Sequence, residues 1–270
     1  MRWINRRPGR LGAVALAALP FLLALAAYLV ASDIRRAENP QDKLLPAIGQ
    51  IAETATRLAT EPDRRSGDVL LWVDTAASLE RLALGTGIAA AIALSLGILT
   101  GLLPYARATL SPFVAALSLI PPLAVLPILF IVFGLGELSK IALIVIGITP
   151  IMVRDLAQRV AEIPAELVVK AQTLGASSAA IALRVVLPQV MPRLIQSVRL
   201  ALGPAWLFLI AAEAIASTEG LGYRIFLVRR YLAMDVILPY VVWITLIAFL
   251  IDQGLRLLAR RAYPWAGEAR

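Results

Sequence analysis

Glu213 lies between the apolar runs Leu-Phe-Leu-Ile-Ala-Ala and Ala-Ile-Ala. An ionised carboxylate at the centre of a membrane helix costs about 2.5–3.5 kcal/mol on insertion scales, and less toward a helix end. Such a residue needs a partner or a task. The structural role open to it is an ion pair with Arg224, Arg229 or Arg230, or a cap on the following segment. The functional role is a gate or a polar lining at the outer mouth of a pathway. Asp252 and Arg256 stand four apart and read as a helix-face pair. The chain has 270 residues and contains neither histidine nor cysteine. Disulfides, thiolate-held clusters, ordinary zinc sites, Ser–His–Asp triads and Cys–His nucleophiles are thereby excluded. None of the lysines, Lys43, Lys140 and Lys170, follows a G-x-x-x-x-G-K-[ST] loop, so the chain carries no P-loop for ATP.

The elements that must position these groups are apolar. Hydrophobic residues make up 60% of the chain and charged ones 16%, and the mean hydropathy is +0.80. Average soluble domains are about 45–50% apolar and about 25% charged. The sequence predicts an all-α polytopic membrane protein with six transmembrane helices. Uncharged runs at 11–32, 82–103 and 113–136 are each long enough to cross a hydrocarbon layer of about 30 Å. Shorter segments at 138–153, 200–212 and 236–251 supply helices four to six. Basic residues before 11–32 also fit a secretory signal, but the length of the run favours an uncleaved anchor, with Pro20 bending it. The net charge of +8 flanks apolar runs, as the positive-inside rule asks, so nucleic acid is not an expected partner. With residues 1–10 cytoplasmic, fifteen of the 26 basic residues fall inside, and the tail 259–270 is cytoplasmic too.

Two loops are longer than turns. Residues 33–76 are expected outside, with an amphipathic helix at 48–58 ended by Glu61-Pro62-Asp63. Its role is open between a lid on the outer surface and a partner site. The second loop, about 160–190, is expected inside, between helices four and five of the core 77–258. Pro164 can open a helix, Gly175 can end it in a left-handed conformation, and Ser177 or Ser178 can cap a second helix over 179–186. Pro188 and Pro192 are expected to break the chain before helix five. The product is a glycine-hinged knob. It suits docking of a partner, or an interfacial helix pair on the headgroups.

Ala171-Gln172-Thr173-Leu174-Gly175-Ala176-Ser177, followed by Val186-Leu187-Pro188 and Pro192, resembles the coupling loop of binding-protein-dependent ABC importer permeases. The likeness continues through Arg199-Leu200-Ala201-Leu202-Gly203 and Glu213 to Gly220-Leu221-Gly222-Tyr223. Trp72, Asp74, Thr75, Ser78, Leu79 and Arg81 are similar to the same family, in the branch for nitrate, taurine and alkanesulfonates. The resemblance implies a type I importer permease fold and an ATPase-coupling site at Lys170, Ala171, Thr173, Leu174, Gly175, Ala176 and Ser177. The family's Glu-Ala-Ala falls on Val169-Lys170-Ala171, so its acidic residue is missing here, a lysine appears, and the ion pair the glutamate would make is not implied for this chain. The resemblance further implies two ATPase subunits that bind ATP-Mg, no cofactor on this chain, an external solute-binding protein and a second permease copy. It places the chain in a bacterial inner membrane.

Pathway and gate candidates are Pro121, Pro122, Pro127, Trp206, Glu213, Gly220 and Gly222. Prolines recur in helices three to six, at Pro121, Pro122, Pro127, Pro150, Pro204 and Pro239. Broken backbone at membrane depth is tolerated where it is buried in protein or lines a cavity. Gly97 and Gly101 form a GxxxG match, a pattern common by chance in apolar helices. The alternative function is an ion-driven secondary transporter. It would place acidic residues near the bilayer midplane, and none stands there.

Overall fold

The computed structural model describes residues 8–39, 42–64 and 66–266. Residues 1–7 of the expected N-terminal segment and 267–270 of the expected tail lie outside the described residues. Those described form an all-helical chain. α1 is Arg10–Glu38, α2 Ile48–Thr60, α3 Leu70–Leu102, α4 Pro104–Leu117, α5 Pro122–Phe133 and α6 Glu137–Ala161. α7 is Ala165–Thr173, α8 Ser178–Ile181, α9 Leu187–Ala216, α10 Leu221–Arg229 and α11 Met234–Ala262.

The core is the pairing of α3 with α6. Gly85, Ala89, Ala93, Gly97 and Gly101 repeat every four residues on α3, and all are buried. On α6, Ile144, Ile148, Met152, Leu156 and Val160 repeat in the same way, also buried. Gly85 faces Ile144, Gly97 faces Leu156 and Gly101 faces Val160, which is one constant, parallel register. Small residues let two backbones approach where hydrophobic exclusion between helices is weak. The Gly97–Gly101 match is therefore part of a longer packing stripe. α9 lies against both helices, with Ala205, Leu209 and Ala212 buried.

Two parallel neighbours require a return crossing. α4 and α5 provide it, bent by 93° at a short break. The segment 113–136 is thus not the single helix expected from its uncharged length. The cause is local. Pro121 and Pro122 supply no N–H, and proline disfavours helical backbone in the residue before it. Pro122 then opens α5 at its first turn. Among the described residues, five helices are long and apolar enough to cross a membrane, or six if the bent pair is one span.

The expected break at Pro188 and Pro192 is absent. A π-helical turn over Ala182–Val186 joins α8 to α9, so the helix runs on through both prolines. The widened turn shifts the carbonyl register where Pro188 brings no donor. The Gln189 side chain donates to the Val185 carbonyl there at 2.9 Å.

α2 matches the amphipathic helix expected at 48–58. It packs across the ends of α3 and α11, and Trp72 Nε1 donates to the Ala59 carbonyl at 3.0 Å. Trp72 and Trp243 meet edge to face at 5.5 Å. α1 stands apart, its membrane window wholly unburied. Tyr28 Oη donates to the Pro46 carbonyl at 2.7 Å and Ser32 Oγ to the Leu45 carbonyl at 2.9 Å, tying α1 to the link before α2.

A methyl group at Gly97 would lie 2.7 Å from Leu156 Cβ, whereas one at Gly87 meets nothing within 4 Å. Gly97→Ala is expected to destabilise the fold by about 1–3 kcal/mol through overpacking. Gly87→Ala is expected to leave stability unchanged or slightly raised. Denaturant unfolding of the detergent-solubilised chain, followed by tryptophan emission, measures both.

Candidate functional site

Two clusters occupy opposite ends of the bundle. The first gathers the start of α3, the start of α6, the end of α9, α10 and the first turns of α11. Asp74, Ser78 and Arg81 lie at i, i+4 and i+7 on α3, hence on one face, and all three are buried. Glu213, from the last turn of α9, is 0% exposed.

The opening N–H groups of α10 point into this cluster. Gly220 N donates to Asp74 Oδ1 at 2.9 Å, Leu221 N to Ser78 Oγ at 2.9 Å and Gly222 N to Glu213 Oε2 at 2.8 Å. A helix begins with unpaired donors and a partial positive charge, and two carboxylates answer both. Gly220 has a φ of +120° and leaves no room for a side chain, since a Cβ would lie 2.5 Å from Glu213 Cδ. A Cβ at Gly222 would likewise lie 2.7 Å from the Ile210 carbonyl oxygen.

Arg81 closes the cluster. Its Nη1 donates to Glu213 Oε1 at 2.8 Å and to the Glu219 carbonyl at 3.0 Å. Its Nε and Nη2 hold both oxygens of Glu137, to which Lys140 Nζ also donates at 2.7 Å. Arg224 Nε meets Asp74 Oδ2 at 2.8 Å and Tyr240 Oη donates to the same oxygen at 3.1 Å. Burial acts to lower the Arg224 pKa, but the hydrogen bond and charge of Asp74, with smaller help from Tyr240 and Tyr223, outweigh it and leave the guanidinium more firmly protonated than usual.

Glu213 therefore does cap the next segment, but its ion partner is Arg81. Arg224 is engaged with Asp74, and Arg229 lies over the Phe226 ring at 4.9 Å. Asp252 likewise has a second and closer partner. Arg199 grips it at 2.7 and 3.1 Å, while Arg256 stands at 3.6 Å. Glu137 and Lys140 did not emerge from the sequence as site residues. The available signal was the polar spacing Asp74–Ser78–Arg81 in an otherwise apolar helix.

Of the pathway and gate candidates, Glu213, Gly220 and Gly222 come together here. Pro121, Pro122 and Pro127 lie apart, at the α4–α5 corner and within α5. Trp206 is buried in the core from α9, and its Nε1 has no hydrogen-bond partner. Among the described residues, no group of three or more acidic side chains is placed to hold a metal ion.

The second cluster is the knob at the other end of the bundle. α7 ends in paired backbone bonds, Gly175 N to the Gln172 carbonyl at 2.9 Å and Ala176 N to the Ala171 carbonyl at 3.0 Å. Gly175 sits between them with a φ of +81°, the glycine-dependent helix stop expected from sequence. Ser177 Oγ then accepts from Ala180 N at 3.2 Å and caps α8. Val168, Ala171 and Ala176 pack against the core. Lys170, Thr173, Gly175 and Ser177 face out, and Leu174 is 87% exposed.

The sequence profile of the family described as binding-protein-dependent transport system inner membrane component matches residues 72–263. The chain belongs to this family. It is the permease component of an ABC importer, and the matched span starts with α3, leaving α1 and α2 outside it. The permease is 41% identical over 204 residues to the taurine transport system permease protein TauC of Escherichia coli, covering 75% of this chain and 74% of that one. It is 32% identical over 189 residues to the aliphatic sulfonates transport permease protein SsuC of Bacillus subtilis, a putative assignment there, covering 70% and 68%. It is 35% identical over 201 residues to the bicarbonate transport system permease protein CmpB of Synechococcus elongatus, covering 73% and 72%. One chain of the MetNI methionine ABC transporter, in an inward-facing conformation, superposes with a TM-score of 0.64 at 22% identity. It covers 71% of the permease and 95% of that chain, a likeness of fold.

Arg81→Met is expected to lower stability by about 3–5 kcal/mol, because Glu213 is left charged and buried. The double variant Arg81→Met/Glu213→Met is expected to recover part of that loss. A double-mutant cycle from unfolding in detergent measures the coupling, expected at about 2 kcal/mol or more. Additive single losses would remove Arg81–Glu213 as the central pair.

Proposed function

We propose that this permease imports a small sulfonate of the taurine type, delivered by an external binding protein and driven by ATP hydrolysed on separate subunits. The observation that carries the coupling half is the knob. It pairs a rigid, doubly bonded glycine stop with an exposed leucine at its tip. Leu174 and Gly175 supply the docking surface, with the half-buried Ala171 and Ala176 beneath it and Lys170, Thr173 and Ser177 at its margin. An apolar side chain as exposed as Leu174 suits a protein groove better than water. The 41% identity to TauC favours a sulfonate over bicarbonate, nitrate and guanidine- or urea-like solutes.

The proposed assembly holds two copies of this chain, two ATPases carrying ATP-Mg and one binding protein, in a bacterial inner membrane with both termini cytoplasmic. Residues 33–76 then form an outer layer over the core 77–258, and the Asp74–Glu213 cluster closes the outer ends of the helices. Glu213, Gly220 and Gly222 act there by holding the loop 217–220 in place. The α4–α5 corner with Pro121, Pro122 and Pro127, and Trp206 on α9, belong to the pathway side. An ion-driven secondary transporter would run without the knob's partner.

Uptake by proteoliposomes holding the permease, its ATPase and its binding protein tests this. ATP-dependent uptake of taurine or a short alkanesulfonate is expected, and uptake without ATP would refute it. Leu174→Asp is expected to abolish co-purification of the ATPase with an unchanged unfolding midpoint. Unchanged ATPase binding by Lys170→Glu would remove Lys170 from the interface. Calorimetry on the binding protein ranks sulfonates against bicarbonate, nitrate and guanidine.

A further inference from the structure

A cavity of about 280 Å³ separates α2 from the first turns of α3 and the first half of α11. Ile51, Ala55 and Leu58 line it from α2, Trp72 from α3, and Trp243 and Leu246 from α11. All the lining side chains are apolar. The two indoles could each offer an N–H, but both are engaged elsewhere. Trp72 Nε1 donates to the Ala59 carbonyl at 3.0 Å and Trp243 Nε1 to Thr75 Oγ1 at 2.9 Å. A cavity so lined gives water no hydrogen bonds and takes up apolar molecules instead. It also far exceeds the gaps that close packing leaves, since one water in the liquid occupies about 30 Å³.

Its position says which apolar molecule. Leu246 and the neighbouring wall residue Val242 belong to the uncharged run 236–251 of α11, and both are exposed. That side of the cavity therefore looks onto hydrocarbon. The far side is roofed by α2, whose outward face carries the exposed Glu53, Thr56, Arg57 and Thr60. A helix apolar beneath and polar above lies in the plane of the membrane interface. Trp72 and Trp243, edge to face at 5.5 Å, are of the residue type that collects at that level. The cavity is thus shut against water and open to the bilayer core. A protein domain outside the membrane would meet the polar face of α2 instead. From Pro239 to Leu246 the wall runs seven residues of α11, about 10 Å at helical rise. That shape takes a stretch of acyl chain and offers nothing to a headgroup.

The filling has a structural task. Two hydrogen bonds pin α2 beside the cavity, Trp72 to Ala59 and Thr54 Oγ1 to Asp235 Oδ2 at 3.4 Å. The apolar walls that face the cavity gain dispersion contacts from whatever fills it.

We propose that an acyl chain of a bilayer lipid, from the leaflet on the α2 side, occupies this cavity and holds α2 on the bundle. The proposal stands apart from the solute and from ATPase docking, because it uses neither the knob nor the Asp74–Glu213 cluster.

Photolabelling of the full chain in phosphatidylcholine nanodiscs tests it. One lipid probe carries a diazirine midway along an acyl chain and a second carries it on the headgroup, and labelled residues are mapped by mass spectrometry. The acyl probe is expected to label Ile51, Ala55 and Leu246, and the headgroup probe to label the outward face of α2 at Glu53 and Arg57. Ala55→Phe fills the cavity and is expected to lower acyl labelling of α2 at least fivefold, with labelling of the exposed Ile131 and Val132 on α5 unchanged. Thr56→Phe, on the outward face, is expected to leave the acyl pattern as it is. Should Ala55→Phe fail to fold, the comparison of the two probes on the wild-type chain decides. Absence of acyl label from the inward face of α2 in the wild-type chain, equal labelling of that face by both probes, or undiminished labelling in folded Ala55→Phe overturns the proposal. Protection of the groove from the acyl probe by a second copy of the chain, seen as labelling only in the monomer, overturns it too.

Discussion

The close parallel packing of α3 on α6 is the constraint from which the other contacts follow. A stripe of five small residues meets a stripe of five large ones in a single register. That register brings Arg81 of α3 beside Glu137 and Lys140 at the start of α6. At the other ends of the same helices, Arg107 donates to the Thr100 carbonyl at 3.0 Å, closing carbonyls that α3 leaves open. A slip of one residue would turn the small stripe by about 100° and carry Arg81 away from its carboxylates.

The buried charges gain their meaning from this frame. Arg81 and Glu213 are nearly or wholly removed from water, and an isolated pair of that kind scarcely offsets its own desolvation. Here the pair is embedded in backbone donors from α10 and a bidentate contact to Glu137. The cluster thereby specifies where the ends of five helices lie relative to one another. It joins residues more than 130 positions apart in sequence.

How much of this was legible in the sequence depended on range. The knob is a local structure. Pro164, Gly175 and Ser177 each act on backbone within a few residues, so its stops and caps could be read directly. The amphipathic α2 was legible for the same reason, its period lying within one element. The Arg81–Glu213 pair was not, because a charge in an apolar helix announces that it needs a partner without saying which. An uncharged run such as 113–136 reports compatibility with hydrocarbon, and a 93° corner is as apolar as a straight helix. Proline was read too strongly at 188, which follows a single π turn, and at 192, where α9 runs on through it. The Gly97–Gly101 pattern was read too weakly, because its value lay in the opposing row on α6.

The unbroken helix from α8 into α9 has a mechanical consequence. Ser178–Ala216 is one span of 39 residues, roughly 58 Å at helical rise. Its first residue follows Ser177 at the knob, and Glu213 sits in its last turn. It is continuous like a connecting rod, interrupted in its hydrogen bonding by the π turn beside the knob and by Pro192 and Pro204. In the proposed assembly, a load taken up at Leu174 crosses only the short, bonded link 175–177 before it enters this single helix, whose far end carries Glu213.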